Sequence, residues 1–336
     1  MMPNNSKFLQ NQKNISTPAV LVLFGPTGSG KTGILQKLFN SNDELQAEVI
    51  SADSMQVYKG MDIGTAKPSL GEREILPHHL IDIRNPDQQF NAGDFVRLAD
   101  EACLQIAACG RLPVVSGGTG FYLKNFIMGL SEAPPSDFKI RTELRQELKE
   151  KGITALAREL TVCDPASGER IHINDEYRML RALEVYRLSG RPLSSFEVNA
   201  KNKRSLFRFI IIGLSRPRET LYRRINERCA QMFRNGLVQE VRSLYEAGYT
   251  PDDPGLRAIG YREFFIETPG EPGKWKLSQD IDGVQSLIAQ NSRRYAKRQI
   301  TFFAGIPGVN WIECSGSDEE TAGRIKNALN EYINFS

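Results

Sequence analysis

Hydrophobic and polar positions fall into two regimes along the chain. Up to about residue 130, short apolar runs alternate with stretches of helical period. Ala19 to Phe24 is a continuous apolar run closed by a glycine turn, the pattern of a parallel strand buried on both faces. The pattern then predicts a helix from about Lys31 to Phe39 and a second strand over Glu48 to Ser51, ending at Asp53. A third strand is expected over Leu80 to Ile83, a helix over Ala92 to Cys109, and a fourth strand over Leu112 to Ser116. Strands alternating with helices imply βαβ units and a parallel sheet with covered faces. From Asp137 to about Leu188, behind Pro134-Pro135-Ser136, the chain reads instead as polar helices without a buried strand. Strand character returns over Phe207 to Leu214 and near Val309 to Glu313. The fold expected is α/β: a tail over 1–18, a core over 19–130, a helical insertion over 131–200, and the core resumed over 201–336. The loop around Pro269–Gly273 is biased in composition, and no internal repeat is present.

Composition changes this picture little. A length of 336 residues fits roughly two domains at about 100–200 residues each. Hydrophobic residues at 40% and charged residues at 25% describe a soluble globular chain, and no apolar run approaches the ~18 residues of a membrane span. The N-terminal stretch MMPNNSKFLQNQKNISTP lacks the apolar segment of a secretory leader, so it is expected to be a disordered tail on a cytoplasmic protein. Five scattered cysteines without CxxC spacing argue against a disulfide framework or a zinc finger. The net charge of +3 does not by itself announce a nucleic-acid partner.

Chemistry enters at residues 25–32. Gly25-Pro26-Thr27-Gly28-Ser29-Gly30-Lys31-Thr32 matches GxxxxGK[ST] in full, with a buried strand before it and a helix after it. The glycines let successive amides turn toward phosphate oxygens, and the helix start adds partial positive charge. Lys31 supplies a point charge, and the Thr32 hydroxyl suits Mg²⁺. The α/β core is therefore P-loop NTPase-like, built to hold a polyphosphate that the motif does not specify. Arg224 is a further candidate for phosphate neutralisation, although a solvated helix arginine would read the same way. Ligands of parallel sheets sit outside the carboxyl ends of strands, which places Asp53 across a crevice from this loop. A carboxylate there suits a metal ligand, a general base or a turn residue. Ser116-Gly117-Gly118-Thr119-Gly120 follows the fourth strand, where glycines admit close backbone approach and Thr119 can donate to developing charge.

The basic residues are organised. Arg293, Arg294, Lys297 and Arg298 form one stripe of a helix whose apolar face is Val284, Leu287, Ile288 and Tyr295. Arg141, Arg145 and Lys149 recur every four residues, and Arg178, Arg181, Arg187 and Arg191 follow. Each stripe alone is also what an ordinary solvated face looks like. Together they fit an RNA-backbone footprint.

Seven separated blocks carry a resemblance to a known family: GPTGSGKT, ISADSMQVYKGMDIGTAKP, PHHLIDI, VVSGGTGFYLK, NDEYRMLRALEVYRLSGRPLS, RAIGYRE and AKRQITFF. In this order, from about residue 19 to 315, they resemble the tRNA dimethylallyltransferases, also called tRNA isopentenyltransferases, in their bacterial form. The resemblance implies that Gly25 to Thr32 and Arg224 hold the diphosphate of dimethylallyl diphosphate with Mg²⁺ at Thr32. It implies that Asp53 takes the proton of an adenine amine and that Thr119 faces the reacting centre. It carries contacts with the tRNA anticodon stem-loop onto Asp53, Ser54, Met55 and Gln56, and onto Arg141, Tyr177, Arg178, Met179, Leu180 and Arg181. It does the same for Arg257, Ala258, Ile259, Gly260, Tyr261 and Arg262, and for Lys297, Arg298 and Gln299. The target base would leave its stack to enter the crevice. One departure is visible: Phe302, Phe303 and Ala304 stand where the family often has a tryptophan and an arginine. No Cys/His finger follows the core, and His78, His79 and His172 read as structural. A monomer is expected.

The rival readings are a nucleotide or small-molecule kinase, an isopentenyltransferase acting on free adenine nucleotides, and a non-catalytic RNA-binding module. The first leaves the DSMQVYKGMDIGTAKP block unexplained, and the second leaves the insertion and basic helix without a use. Lys31, Thr32 and Asp53 argue against the third.

Overall fold

The computed structural model describes residues 17–39, 45–196 and 204–334. Residues 1–16 of the expected tail, and the last residues of the expected insertion, lie outside the described residues. In chain order the elements are β1 Ala19–Phe24, α1 Lys31–Leu38, β2 Ala47–Ser51, α2 Leu70–Ile75, β3 His78–His79, α3 Ala92–Ala108, β4 Leu112–Gly117 and α4 Gly120–Met128. Four helices follow: α5 Phe138–Lys151, α6 Ile153–Cys163, α7 Pro165–Arg170 and α8 Glu176–Ser189. The chain then continues through β5 Arg208–Ser215, α9 Arg218–Arg234, α10 Leu237–Glu246, β6 Phe265–Glu267, β7 Trp275–Leu277, α11 Ile281–Phe303, β8 Asn310–Glu313 and α12 Asp318–Asn334. Among the described residues the chain forms two compact units, divided at 127/128 and 203/204.

The larger unit is a six-stranded sheet in the order β3-β2-β4-β1-β5-β8, with all five pairings parallel. Its central strand β1 is buried from Val20 to Phe24, as a continuous apolar run demands when helices cover both faces. One face packs Leu21, Leu23, Val114, Ile210 and Ile212 against Ile34, Leu35 and Leu38 of α1 and Ile325 and Leu329 of α12. The other face is aromatic: Phe95 stacks on Tyr122 at 4.8 Å, and Phe126 meets Phe209 edge-on at 5.5 Å. Because β2, β4 and β1 are neighbours, the loops leaving their carboxyl ends converge at one sheet edge.

The third strand departs from expectation. Pairing stops after His78↔Val49 and His79↔Ile50, and Leu80 to Ile83 is not a strand. Leu80 (φ 62°) and Asp82 (φ 58°) adopt the left-handed region, which an L-residue enters only when its surroundings hold it there. Asp82 accepts hydrogen bonds from Lys67 Nζ at 2.6 Å and Arg73 Nη1 at 3.1 Å, and these turn the chain out of the sheet. The two-stranded hairpin of β6 and β7 spans the 269–273 loop and was not anticipated.

The smaller unit is helical. Leu144, Leu156, Leu160, Met179, Leu180 and Leu183 form its core. Asp137 caps α5 at Ile140 N (2.9 Å) and Asp175 caps α8 at Arg178 N (3.2 Å), so the polar residues opening each helix satisfy its free amides. Among the described residues no helix is long and apolar enough to cross a membrane.

Candidate active site

The loop after β1 requires its glycines. Gly28 (φ 83°) and Gly30 (φ 98°) occupy the left-handed region, and Cβ atoms there would meet Ile225 at 3.1 Å and Arg224 at 3.2 Å. Lys31 Nζ donates to Gly25 O (2.8 Å) and Pro26 O (3.2 Å). Burial is the main reason its ammonium falls to about 8; the charge of Arg228 adds to the fall, and Asp53 opposes it. Three arginines brace the loop through its own oxygens. Arg224 Nε donates to Gly28 O (3.0 Å), Arg228 Nη1 to Thr27 Oγ1 (3.2 Å) and Arg216 Nη2 to Ser29 O (3.2 Å). Arg224 was expected; Arg216 and Arg228 were not. Arg228 lies one helical turn beyond Arg224 on α9, and that i, i+4 spacing was the signal available for it.

Across the crevice Asp53 Oδ1 accepts from Met55 N (2.8 Å) and Gln56 N (3.3 Å), which fixes the carboxylate as the hinge of a turn. Thr119 Oγ1 accepts from Ser54 N at 2.9 Å and so ties the loop after β4 to the loop after β2. The Tyr295 phenol on α11 stands beside both. Burial, then the charge of Asp53, pushes it up to about 12, so it stays protonated. Gly117 is obligatory between the two loops, since a Cβ would fall 2.1 Å from Ala52 O.

Together these loops line an open cleft of about 920 Å³. Thr27, Lys31, Thr32, Arg224 and Arg228 stand on one side, with Asp53, Gln56 and Gly118 on the other. The walls are completed by Ile259 and Gly260 and by Tyr295 and Arg298. Guanidinium and ammonium groups gather at the phosphate loop, where the Asp318 carboxylate lies beside Gly30 and Gly33, and the Asp53 carboxylate lines the same cleft. Such a cleft can hold an anionic leaving group and accept a proton beside it.

The other expected RNA contacts separate into two groups. Tyr177, Arg178, Arg257, Arg262, Lys297 and Arg298 are exposed. Met179, Leu180, Ala258, Tyr261 and Gln299 are buried, at most 8% exposed, although Ala258 and Gln299 also line the cleft. Gln299 bridges two loops, accepting from Thr27 N at 2.8 Å and donating to Gly118 O at 2.7 Å. Leu287, expected on the buried face of α11, is 43% exposed. Within the smaller unit, Arg141 and Arg181 pair with the fully buried Glu184, and Arg141 also lies over the Tyr177 ring. Arg187 is held by Glu147 and Glu159, and Arg191 lies over Phe196, so the arginines of α8 do not form one open stripe. Phe303 is buried and packs on Phe24 at 4.8 Å, so an aromatic in the last block serves the core beneath β1. His78 contacts Leu76 O, His79 contacts Glu48, and His172 accepts from Asn174 N, although His78 also lines the cleft.

Fold and cleft thus define a P-loop transferase with the Asp53 carboxylate in the cleft of its phosphate loop. Residues 56–305 match the IPP transferase family model, and the chain belongs to that family. It is 42% identical over 303 residues to the tRNA dimethylallyltransferase of Geobacter sulfurreducens, covering 90% of this chain and 94% of that one. The full-length tRNA isopentenylpyrophosphate transferase of Bacillus halodurans superposes with a TM-score of 0.65 at 34% identity, over 95% of this chain and 97% of that one. A eukaryotic dimethylallyltransferase acting on tRNA superposes with a TM-score of 0.76 at 27% identity, over 94% of this chain and 80% of that one.

Proposed function

We infer that this protein transfers the dimethylallyl group of dimethylallyl diphosphate to the exocyclic amine of the adenosine 3′-adjacent to the tRNA anticodon, releasing diphosphate. The observation that carries the reading is the convergence of the phosphate loop and Asp53 on one cleft, in a chain that matches transferases of this kind along nearly their whole length. An adenine amine is a weak nucleophile because its lone pair is delocalised into the ring. The barrier is therefore lowered chiefly at the leaving group, by fixed positive charge on the departing oxygens. Lys31, Arg224, Arg228 and the loop amides provide that charge. The allylic C1–O bond breaks, the N–C1 bond forms, and the proton leaving nitrogen passes to the Asp53 carboxylate. Among the described residues Asp53 Oδ2 takes no protein hydrogen bond, which leaves it available for that proton. Thr119, tied to Ser54, keeps the loop after β4 against the reacting centre.

The residues present also fit Mg²⁺. Mg²⁺ takes hard oxygen donors and keeps waters and substrate phosphates with few protein ligands. Thr32 would hold it, with Asp53 and Asp318 lining the same cleft. When bound, it would neutralise charge on the diphosphate.

The exposed Tyr177, Arg178, Arg257, Arg262, Lys297 and Arg298 are the side chains we assign to the stem-loop. We propose that the protein works as a monomer in the cytoplasm. The deciding experiment mixes protein, Mg²⁺, dimethylallyl diphosphate and an anticodon stem-loop with adjacent adenosines, then weighs the RNA. A gain of one prenyl group is expected. An unchanged mass, or transfer of labelled γ-phosphate from ATP, overturns the reading.

A further inference from the structure

The segment Met61 to Lys67 forms a tight turn closed on itself by Thr65 Oγ1 to Met61 O (2.5 Å), Ala66 N to Ile63 O (3.0 Å) and Lys67 N to Asp62 O (3.0 Å). Like the first turn of a helix, this geometry leaves its leading amides without partners in the segment itself. One side chain from a distant element takes all three. Glu240, in the first turn of α10, accepts from Asp62 N (2.9 Å) and Ile63 N (2.7 Å) through Oε2, and from Gly64 N (3.1 Å) through Oε1. Its fourth donor is the Tyr261 hydroxyl, at 2.7 Å from Oε1. Burial and the charge of Glu240 push the Tyr261 phenol far above its ordinary range, so it remains a donor.

The turn so held is connected to the proposed base. Gln56 Nε2 donates to Thr65 O and Ala66 O, both at 3.3 Å, and its Oε1 accepts from Ser51 Oγ at 2.9 Å. The backbone amide of Gln56 is itself one of the two donors on Asp53 Oδ1. A continuous path therefore runs from Glu240 through the 62–66 backbone and Gln56 to Asp53. Packing reinforces it: a Cβ on Gly64 would fall 2.5 Å from the Tyr261 ring, and Gly260 adopts φ 102° against Gly64. Glu240 itself does not line the cleft.

We propose that Glu240 is a positioning residue for the transfer reaction, fixing the 53–66 loop so that Asp53 is held opposite the phosphate loop. The proposal rests on the function inferred above. A carboxylate is required because only an acceptor-only group with two oxygens can receive four converging donors. Glutamine at this position would point an NH₂ at amides that also donate.

The test compares full-length wild type, Glu240→Ala, Glu240→Gln and Tyr261→Phe in three measurements. These are amide hydrogen exchange, affinity for inorganic pyrophosphate, and the single-turnover rate of stem-loop prenylation at saturating donor. In Glu240→Ala, exchange should rise in peptides spanning 53–66 and stay unchanged in 25–32. Pyrophosphate affinity should hold while the rate falls roughly 10²-fold, as expected when a reacting group is displaced by about 1 Å. Glu240→Gln and Tyr261→Phe should follow the same pattern with smaller amplitude, and Tyr261→Phe keeps the test open if Glu240→Ala fails to fold. Faster exchange throughout both loops with loss of pyrophosphate affinity would make Glu240 a stabiliser of the fold and overturn the proposal. Local loosening with an unchanged rate overturns it too. A wild type that leaves the stem-loop unmodified instead overturns the functional reading, and the exchange data still decide whether Glu240 fixes the loop.

Discussion

In the reaction proposed above Asp53 and Lys31 divide the chemistry, and their variants should fail differently. Asp53→Asn keeps the turn-forming oxygen but removes the proton acceptor, so turnover should fall by roughly 10²–10⁴-fold. Stem-loop affinity, measured by fluorescence anisotropy, should be unchanged; a wild-type rate would assign the proton elsewhere. Lys31 makes a second prediction, because its ammonium is depressed to about 8 by burial. Below that pH the group is charged, and above it the neutral amine prevails unless a bound anion restores the proton. Pyrophosphate binding at pH 8.5 should therefore draw a proton onto Lys31. Calorimetry in buffers of different ionisation enthalpy should show more proton uptake by wild type than by Lys31→Met, with the difference vanishing at pH 6.5. The places of these two residues in the cleft were legible in the sequence because they follow from backbone position: one follows β2, the other begins α1. Arg228 and Gln299 were not legible as parts of the phosphate site. Their roles depend on which way α9 and α11 face, and a stripe of like residues does not reveal that.

At the scale of elements, strands buried on both faces were plain from their unbroken apolar runs. The segment Leu80 to Ile83 shares that apolar character, yet Leu80 and Asp82 are left-handed, and Lys67 and Arg73 hold Asp82 there. Periodicity reports burial, not hydrogen-bond pairing, so a buried loop and a short strand look alike. The 23-residue α11 shows the converse difficulty, since one helix carries exposed cations and a buried amide one residue apart. Gln299 joins this helix to both the phosphate loop and the loop after β4. Gln299→Leu keeps the volume but strands the buried Gly118 C=O, at a cost of about 1–3 kcal/mol, and leaves the half-buried Thr27 N–H to water. The Tm should drop, and pyrophosphate affinity should fall with it because the loop loses its brace. Ile300→Ala, beside it and 45% exposed, should change stability by no more than about 0.5 kcal/mol. Equal effects of the two would remove Gln299 from the site.

For the molecule as a whole, a net charge of +3 conceals how its cations are used. Many arginines are committed within the protein. Arg187 is gripped by Glu147, whose carboxyl is held down to about 2, and by Glu159, so the network stays ionised across ordinary pH. Others are free to meet phosphate. Among the described residues Arg294 and Lys297 on α11, and Arg145 and Lys149 on α5, are exposed and carry no ion pair. Only cations of the second kind can release counterions from RNA without first breaking a bond of their own. The logarithm of stem-loop affinity should therefore fall linearly with the logarithm of salt concentration, with a slope set by the number of phosphates neutralised. Lys297→Ala and Arg294→Ala should each lower the magnitude of that slope by about 1. Arg187→Ala should leave it unchanged while lowering stability by up to about 1 kcal/mol through the lost surface pairs. Titrations of a labelled stem-loop over a range of KCl concentrations, with thermal melts of the same variants, separate the two classes. Should Arg187→Ala flatten the slope as Lys297→Ala does, the internal pairs would have to open on binding, and the division between committed and available charge would not hold.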